Sequence, residues 1–491
     1  MPETKPEKVT FAIDKEANFS EWFTEIIKIA ELADLRYNVK GFLVYQPWSV
    51  LTMEKMYDFL EELLQKKGHN PYWYPVLIPE GNLKMEAEHV EGFAPEVFWV
   101  TETGDGQKLE EKMALRPTSE TAFYQMFALW IRSYNDLPFK TYQRAQVFRY
   151  ETKATRPFLR SREIYWIETH NAFSNHEDAL RQIQEDMKTT VEFLTEYLGI
   201  PFIFFKRPQW DKFAGAINTY AADSLMPDGK VVQQPSMHDL GQNFSKAFNV
   251  TFKDKDGTDK FAYITCFGPA ISRIFASLIS VHGDTKGLRF PFEVAPKQIV
   301  LIPMAANKDP NVLPFARKLA EELRLSGYRV HLDRSDKMPG EKFYFWEMKG
   351  VPLRIEIGPR ELKNKKLVVY RRDLQQKETI NAKDLAGWIQ KTGKELSSNL
   401  RKDAGHLFDN AIKDANSFEE LKKLINTRGF VRTNFCTDEL SASACAEKIE
   451  KELSANVRGQ RAEKTEQPFG NKTCIACGKP AKVVLYVAKQ Y

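Results

Sequence analysis

The chain has 491 residues, 43% of them hydrophobic and 28% charged, and its formal net charge is +5. This composition excludes an intrinsically disordered chain, and the length predicts roughly two to four globular domains. The small positive excess favours a polyanionic partner only where basic residues cluster. The first residues carry no apolar core of signal-peptide length, and no run reaches the ~18 apolar residues that span a bilayer. The sequence therefore predicts a cytoplasmic protein without a membrane partner.

The first half of the chain combines short apolar strands with amphipathic helices. A short strand is predicted within residues 41–49, where Pro47 stops it. A helix is predicted over 121–134, and Thr118 or Ser119 is suited to cap it. Further helices are predicted over 53–64 and 175–198, and further strands over 141–149, 163–173, 231–234 and 261–267. Strands and helices in separate blocks favour an α+β fold with an antiparallel or mixed sheet over a doubly wound fold.

The pattern changes after residues 291–296, a segment that begins and ends with proline. Strands are predicted over 299–302, 328–332, 353–357 and 367–370, with an amphipathic helix over 312–325. This order is typical of a small, separate α/β domain. A helical stretch begins near residue 384, and a lysine-rich tail follows it. The predicted domains are residues 1–292, 297–383 and 384–491.

A basic loop between two apolar runs is the first functional signal. Its five arginines are Arg144, Arg149, Arg156, Arg160 and Arg162. If residues 144–151 pair with 160–168 as a hairpin, Arg149 shares a face with Glu151, and Arg160 shares a face with Arg162. Guanidinium groups bind phosphate oxygens bidentately, so the loop suits a ligand with several negative charges. The alternative is a solvated hairpin tip with surface ion pairs.

Another arginine opens a helix with a buried pattern. Arg273 follows Gly268 by five positions and is followed by the apolar residues Ile274, Phe275 and Leu278. Solvation does not explain a cation at the start of such a helix. The position of Arg273 therefore favours the interpretation in which several arginines bind one polyanion.

The cysteines are concentrated in the tail. Four of the five lie after residue 435, namely Cys436, Cys445, Cys474 and Cys477. The C-x-x-C spacing of Cys474 and Cys477 suits tetrahedral Zn²⁺, whereas the gap between Cys436 and Cys445 is wider than usual. The prediction is a structural zinc site, and the alternative is four reduced thiols.

Three segments resemble the signature motifs of class II aminoacyl-tRNA synthetases. The segment at Pro47 resembles motif 1, residues 148–151 with the loop to Arg160 resemble motif 2, and residues 268–273 resemble motif 3. Other segments are similar to the prolyl-tRNA synthetases of subclass IIa in their archaeal and eukaryotic-like form. They are residues 116–121, 157–163, 238–244, 281–284 and 350–360, together with Tyr491. The resemblance covers nearly the whole chain.

This resemblance implies both a fold and an activity. The implied fold is an antiparallel-sheet catalytic domain, an α/β anticodon-binding domain and a small α+β zinc-binding-like C-terminal domain. The implied enzyme is a proline–tRNA ligase. It activates L-proline with ATP to prolyl-adenylate and pyrophosphate, and then transfers the prolyl group to the 3′ end of tRNA(Pro). Mg²⁺, structural Zn²⁺ and a homodimer are implied with it.

Residue roles are implied only at positions that match the family's motifs. Arg149 and Arg273 are implied as catalytic residues. The implied proline contacts are Thr118, Glu120, Arg149, Trp166 and His238. The implied ATP contacts are Arg149, Glu151, Arg160, Ser161, Gln233, Ser236, Ser272 and Arg273. The sequence departs from the family at Ser236, where threonine is usual, and in motif 3, which is one residue longer than expected.

Simpler interpretations remain for some of these residues. On pattern alone, Trp166 is a core residue of an apolar strand and His238 is a surface histidine. Basic residues of the anticodon-like domain suit contact with an RNA backbone, or form a solvated turn. They are Lys342, Arg354, Arg360, Lys363, Lys365 and Lys366.

Two rival functions remain. One is another subclass IIa synthetase, such as a threonyl enzyme, which has a zinc ion in its amino-acid pocket; the sequence shows no ligand set for such an ion. The other is a non-catalytic paralogue that binds tRNA, but Arg149, Glu151 and Arg273 are all present. The interval from residue 163 to 265 leaves no room for an editing domain, so any editing is expected in trans.

Overall fold

The computed structural model describes residues 11, 13–89, 96–150, 155–427 and 429–491. Glu151, an implied ATP contact, lies outside the described residues. Among the helices that the structure describes, none is long and apolar enough to cross a bilayer.

Two sets of elements follow one another along the chain. The helices of the first part are α1 (Phe19–Ile29), α2 (Pro47–Lys66), α3 (Glu80–His89), α4 (Glu120–Trp130), α5 (His176–Thr190), α6 (Asn243–Ala247) and α7 (Ile271–His282). Its strands are β1 (Ala33–Asp34), β2 (Val44–Tyr45), β3 (Asn70–Pro71), β4 (Leu77–Pro79), β5 (Phe98–Glu102), β6 (Lys108–Leu115), β7 (Phe139–Phe148), β8 (Glu163–Phe173), β9 (Ile203–Lys206), β10 (Asn218–Leu225), β11 (Val231–Gly241), β12 (Thr251–Lys253), β13 (Asp259–Phe261) and β14 (Tyr263–Gly268). A π-helical segment, Val191–Tyr197, extends α5.

The second part begins at residue 299. Its helices are α8 (Val312–Leu325), α9 (Pro339–Met348), α10 (Pro359–Asn364), α11 (Leu385–Asn410), α12 (Phe418–Leu424) and α13 (Ser443–Leu453). Its strands are β15 (Ile299–Pro303), β16 (Val330–Leu332), β17 (Leu353–Ile357), β18 (Lys366–Arg371), β19 (Gln376–Asn381), β20 (Ile412–Ala415), β21 (Phe430–Phe435), β22 (Asn456–Arg461) and β23 (Val483–Ala488).

One large sheet organises the molecule. Its eleven strands run in the order β20-β21-β23-β22-β9-β10-β11-β14-β8-β7-β3. The pairs are antiparallel except β20–β21 and β3–β7 at the two edges. The predicted hairpin is confirmed, because β7 pairs with β8 from Phe139–Ala172 to Phe148–Glu163. The α+β prediction with a mainly antiparallel sheet is therefore confirmed.

Helix α7 packs against this sheet and anchors the core. Its side chains Ile274, Phe275, Leu278 and Ile279 are fully buried, as their three- and four-residue spacing predicts. They join a cluster that includes Met56 and residues from α1 and α2. The arginine at position 273 is therefore held on a rigid element.

Two local predictions differ from the structure. The short strand predicted before Pro47 is present as Val44–Tyr45, but α2 begins at Pro47 rather than at residue 53, because a helix's first turn has no use for the missing N–H of proline. Ser119 occupies the N-cap position of α4, but its hydroxyl accepts from Gln143 Nε2 at 2.8 Å instead of capping the helix. The helix also ends at Trp130, before the predicted residue 134.

The segment after residue 297 forms its own five-stranded sheet in the order β16-β15-β17-β18-β19. The first three strands are parallel, and the last two pairs are antiparallel. Helix α8 buries Val312, Ala316 and Ala320 against this sheet. The predicted α/β domain is confirmed.

The tail extends the large sheet. Strand β22 pairs with β9 through Gln460–Lys206 and Arg461–Phe205, and β23 pairs with β22. The backbone of Val231 also bonds the tail, donating to Lys489 O at 2.8 Å and accepting from Tyr491 N at 3.1 Å. Residues near the end of the chain therefore lie beside β11.

Candidate active site

A cavity of about 300 Å³ opens over the middle of the large sheet, above β8, β14 and β11. Eight of the residues implied by sequence line it, namely Thr118, Glu120, Arg149, Trp166, Gln233, Ser236, His238 and Arg273. These residues come from distant parts of the chain, so the fold brings them together.

One end of the cavity is cationic. Arg273 donates from Nε to Leu159 O at 3.3 Å and from Nη1 to Gln233 O at 3.4 Å. Burial, together with the neighbouring guanidiniums of Arg149 and Arg160, lowers the pKa of Arg273 to about 10. The group remains charged at neutral pH, so three cations face a common region.

The motif-2 arginines reach this region from different sides. Arg149 donates from Nε to Pro117 O at 3.1 Å, and its guanidinium lies 5.5 Å from the ring centroid of Trp166. Arg160 does not line the cavity itself; it donates from Nη2 to Tyr491 O at 3.2 Å. The tail therefore fixes one of the arginines.

The other arginines of the basic loop are not part of the cavity. Arg162 precedes β8 and stacks on Tyr150 with its guanidinium 4.4 Å from the ring centroid, so the predicted face shared with Arg160 is wrong. Arg144 lies over the ring of Tyr57 at 3.8 Å. Arg156 contacts the rings of Phe19, Phe23 and Tyr491. Arg149 and Arg160 are therefore the loop arginines whose charges act on Arg273.

The other end of the cavity carries carboxylates. Glu120 lies at the start of α4, is 4% exposed, and accepts a hydrogen bond from Thr118 Oγ1. Glu168, on β8, is 2% exposed. Neither of its oxygens has a hydrogen-bond partner in the described part of the chain, and Glu168 Oε2 lies 3.5 Å from His170 Nε2. This end suits a ligand's cationic nitrogen.

His238 is a neutral wall of the cavity. Its Nδ1 lies 2.9 Å from Thr219 Oγ1, and its Nε2 lies 3.1 Å from Ser236 Oγ. Burial, with the charges of His170 and Arg207, lowers the pKa of His238 to about 3. The ring packs on Phe213 with 4.6 Å between the centroids. The surface interpretation of this histidine is wrong.

Two implied ATP contacts lie deeper than expected. Ser161 and Ser272 are 5% and 0% exposed, and neither lines the cavity. Ser272 lies on α7 immediately before Arg273. Its implied role stays a prediction.

Sequence reasoning missed several cavity residues. They are Glu168, His170, Arg207, Phe213, Thr219, Cys266, Arg458 and Gln490, among others. Alternation along β8 is the signal for the first two, because Trp166, Glu168 and His170 are two residues apart and share a face. No local pattern indicates Arg458 or Gln490, since only tertiary pairing brings the tail here.

A buried ion network supports one wall. Asp223 accepts from Arg207 Nη2 at 2.7 Å and from Arg458 Nε at 2.7 Å, and Arg207 also donates to Gln233 Oε1 at 3.0 Å. All three charged groups are at most 3% exposed. The network joins the tail to β10 and orients Gln233 toward the cavity.

The four tail cysteines form a cluster of thiols. Their sulfur atoms all lie within 4.8 Å of one another. Cys436 Sγ is 3.9 Å from Cys445 Sγ, which is 4.0 Å from Cys474 Sγ. The wide spacing in sequence therefore does not prevent a four-sulfur site.

Family models cover most of the chain. Residues 98–282 match the tRNA synthetase class II core domain (G, H, P, S and T), and residues 298–392 match the anticodon binding domain. The central antiparallel sheet and its arginine-lined cavity are those of a class II aminoacyl-tRNA synthetase.

Relatives over the full length define the family within that class. The proline–tRNA ligases of Thermofilum pendens and Pyrococcus abyssi are 48% and 43% identical, over 98% and 96% of this chain and 98% of each relative. Residues 418–491 match the prolyl-tRNA synthetase C-terminal model. The chain belongs to the prolyl-tRNA synthetase family.

Solved structures agree with this assignment. The prolyl-tRNA synthetase of Giardia lamblia in complex with prolyl-adenylate has a TM-score of 0.93 and 36% identity, covering 98% of this chain and 100% of that chain. The Cryptosporidium parvum enzyme, complexed with halofuginone and AMPPNP, has a TM-score of 0.92 and 31% identity over 98% of this chain and 99% of its own.

Proposed function

We propose that this chain activates L-proline with ATP and transfers the prolyl group to tRNA(Pro) in the cytoplasm. The observation that carries the proposal is the charge division of one cavity, with carboxylates at one end and arginines at the other. A zwitterionic amino acid and a nucleoside triphosphate need these two ends.

Proline is positioned by its nitrogen and its ring. The Glu120 carboxylate accepts from the cationic imino group, and the Thr118 hydroxyl accepts its second hydrogen. Trp166 and the neutral His238 form apolar walls for the ring. Glu168 balances the positive nitrogen from below, because its carboxylate is buried without a hydrogen-bond partner among the described residues.

Activation joins two anions, and the arginines make that approach possible. Arg149 contacts the proline carboxylate and the α-phosphate as the carboxylate oxygen attacks phosphorus. Arg160 and Arg273 hold the outer phosphates, which leave as pyrophosphate. Mg²⁺ enters with ATP as part of the substrate. Fixed cations in a water-poor cavity stabilise the charge that develops on the phosphoryl oxygens.

Transfer needs no covalent nucleophile from the protein. The ribose hydroxyl at the 3′ end of tRNA attacks the adenylate carbonyl, and AMP leaves. Residues 298–392 are placed to read the anticodon. Lys342 and Arg354 are buried there, so RNA backbone contact falls to exposed Arg360, Lys363, Lys365 and Lys366.

Proline-dependent exchange of pyrophosphate into ATP tests the proposal directly. We expect exchange with proline and not with threonine. Arg149→Ala is expected to reduce the exchange rate by about 100- to 1,000-fold, because it removes a cation that faces the developing charge. The affinity for tRNA is expected to remain.

Arg144→Ala is the matched control. This arginine lies on β7, which ends one residue before Arg149, but it contacts Glu54 and Tyr57 outside the cavity. Equal losses in the two variants would contradict the assignment of Arg149. Absence of proline-dependent exchange in the unaltered protein would favour the non-catalytic paralogue.

A homodimer is the proposed assembly. Strand β3 forms one edge of the large sheet, and Trp73, shortly after it in the chain, is 92% exposed. The neighbouring Tyr72 packs on Trp130, with 5.3 Å between the ring centroids. Leu129, which precedes Trp130 in the sequence, is 57% exposed. Exposed apolar side chains at a sheet edge favour pairing with a second copy. Light scattering should give a mass of two chains for the unaltered protein and a mass of one chain for Trp73→Glu.

The cysteine cluster is proposed to hold a structural Zn²⁺. Four thiolates that already converge suit tetrahedral coordination, and bound zinc stabilises the fold that presents it. Dialysis against a chelator is therefore expected to lower the melting temperature, and added Zn²⁺ to restore it. A melting temperature that ignores the chelator would contradict a structural ion.

No separate editing domain is proposed for this chain. Residues 163–265 are fully described and are used by the strands and helices of the catalytic part. We expect mischarged alanyl-tRNA(Pro) to persist with the purified enzyme and to be cleared by a separate hydrolase. Efficient hydrolysis by the enzyme alone would contradict this expectation.

A further inference from the structure

Three neighbouring strands place a row of side chains along the floor of the cavity. Cys266 on β14 is the register partner of His170 on β8 and of His238 on β11. Directly opposed residues on adjacent strands project to the same face. The thiol of Cys266 and the imidazole of His170 therefore lie side by side, at 5% and 2% exposure.

Glu120 completes a set of three donors above this row. One carboxylate oxygen of Glu120, one nitrogen of His170 and the sulfur of Cys266 all lie within 4.8 Å of one another. Thiolate, imidazole and carboxylate are the usual ligands of Zn²⁺, at ~2.0–2.3 Å from the ion, with the donor atoms about 3.5 Å apart. Side-chain rotation is needed to bring the three donors, which lie within 4.8 Å of one another, to that spacing. The sequence shows no ligand set for this pocket, because only strand register brings His170 and Cys266 together.

The surroundings orient the donors toward the cavity. His170 Nδ1 lies 2.8 Å from Tyr124 Oη, so a hydrogen bond occupies that nitrogen, and Nε2 faces Glu168. A hydrogen bond to the second nitrogen is the usual support of a metal-bound histidine. His238 is excluded as a ligand, because both of its nitrogens contact hydroxyl groups of Thr219 and Ser236.

The buried Glu168 carboxylate is an independent observation that points to a cation. Its two oxygens are buried and have no hydrogen-bond partner within the described ranges, and it lines the same cavity. A buried carboxylate without donors is costly unless a positive charge is close. Buried Arg116 supplies part of that charge from outside the cavity, and a divalent ion beside Glu120 would add to it.

We propose that the amino-acid pocket also binds Zn²⁺ through Glu120, His170 and Cys266, and that Zn²⁺ and L-proline exclude each other. The Cys266 thiol releases its proton to solvent as sulfur binds the ion, and no electron is transferred. The inference rests on the proposed function, because the same Glu120 carboxylate accepts from the imino group of proline. Free zinc is thus a competitive inhibitor of proline activation.

The test measures zinc binding to the full-length chain, using a metal-binding dye as competitor. Three proteins are compared: the unaltered chain, Cys266→Ser, and the double tail variant C436S/C477S, which leaves the tail cluster two of its four thiols. We expect two zinc ions on the unaltered chain and one on each variant. Loss of a direct ligand is expected to weaken the pocket site by more than about 100-fold.

Proline also distinguishes the two ions. Proline at ten times its dissociation constant should weaken zinc binding in the pocket about 11-fold, by simple competition. It should act on the unaltered chain and on the double tail variant, and leave the remaining ion of Cys266→Ser untouched. Zinc binding to the double tail variant that ignores proline, or that proline tightens, would overturn the inference, as would absence of zinc from that variant.

Pyrophosphate exchange in zinc-free buffer separates this result from the proposed function. Normal proline-dependent exchange combined with proline-insensitive zinc overturns only the zinc inference. Absent exchange overturns the proposed function, whatever the zinc result.

Discussion

At the scale of single residues, close packing between side chains sets the shape of the cavity and therefore which ligands fit it. Gly268, the first residue of motif 3, lies against the indole of Trp166, and an added Cβ would stand 2.8 Å from Trp166 Cζ2. That distance is shorter than ordinary van der Waals contact. The glycine therefore leaves room for the indole beside it, and both residues line the cavity.

Gly268→Ala is expected to push Trp166 toward the cavity. We expect KM for proline to rise by about 10-fold or more with a smaller change in KM for ATP, since small displacements of positioning groups are costly. Steady-state exchange kinetics with each substrate varied in turn measure the two constants.

Gly405→Ala serves as the control for that experiment. Gly405 lies in α11, and an added Cβ there meets nothing within 4 Å. Its kinetics should be unchanged, with stability equal or slightly higher because alanine favours helix. A normal KM for proline in Gly268→Ala would show that Trp166 does not shape the pocket.

At the scale of elements, buried charge holds the tail strand β22 to the catalytic strand β10. Asp223 is fully buried and bonds both Arg207 and Arg458. Burial opposes ionisation of Asp223, but the two guanidiniums keep its pKa below the usual value. Removing the shared carboxylate would leave two buried cations without their partner.

Asp223→Ala is therefore expected to lower the free energy of unfolding by about 4 kcal/mol. Arg458→Ala is expected to cost less, about 2 kcal/mol, because Asp223 keeps Arg207. Urea unfolding followed by tryptophan fluorescence measures both values.

Arg432→Ala is the matched control on the neighbouring strand β21. Arg432 pairs with exposed Asp414 and with Glu466, which keeps Lys464 as a partner, so the loss should be only about 1 kcal/mol. Asp223→Ala with a loss no larger than that of Arg432→Ala would contradict the importance of the network.

At the scale of the whole molecule, buried neutral histidines connect stability to pH. His282 ends α7, is 1% exposed, and donates from Nε2 to Leu198 O at 2.8 Å. Burial, only partly offset by this bond, lowers its pKa from 6.5 to about 3. Below pH 6.5 the unfolded chain takes up a proton that the folded chain refuses, so stability falls as pH falls toward 3.

Protonation of His282 in the unfolded chain should by itself lower the free energy of unfolding by about 2 kcal/mol between pH 8 and pH 5. His282→Gln keeps a donor for Leu198 O and does not titrate. Its free energy of unfolding should therefore lose about 2 kcal/mol less over that range than the unaltered chain, even if it is lower throughout. The comparison of the two pH profiles cancels the other titrating groups.

Exposed His406 provides the control. His406→Gln should change the free energy of unfolding by less than about 0.5 kcal/mol, as surface substitutions usually do. Parallel pH profiles for His282→Gln and the unaltered chain would show that folding does not shift the pKa of His282.

The sequence by itself determined many of the helices and strands and the order of the two parts of the chain, because local periodicity and residue chemistry are written along the chain. It also carried the resemblance at the three motifs. It predicted α8, the β7–β8 hairpin and Arg273 on its apolar helix. Only the tertiary structure placed the tail in the catalytic sheet, so that Arg458 and Gln490 reach the cavity. It also brought His170 and Cys266 together, since strand register joins residues 96 positions apart. Local patterns do not carry such pairings, because their stability comes from packing between distant segments.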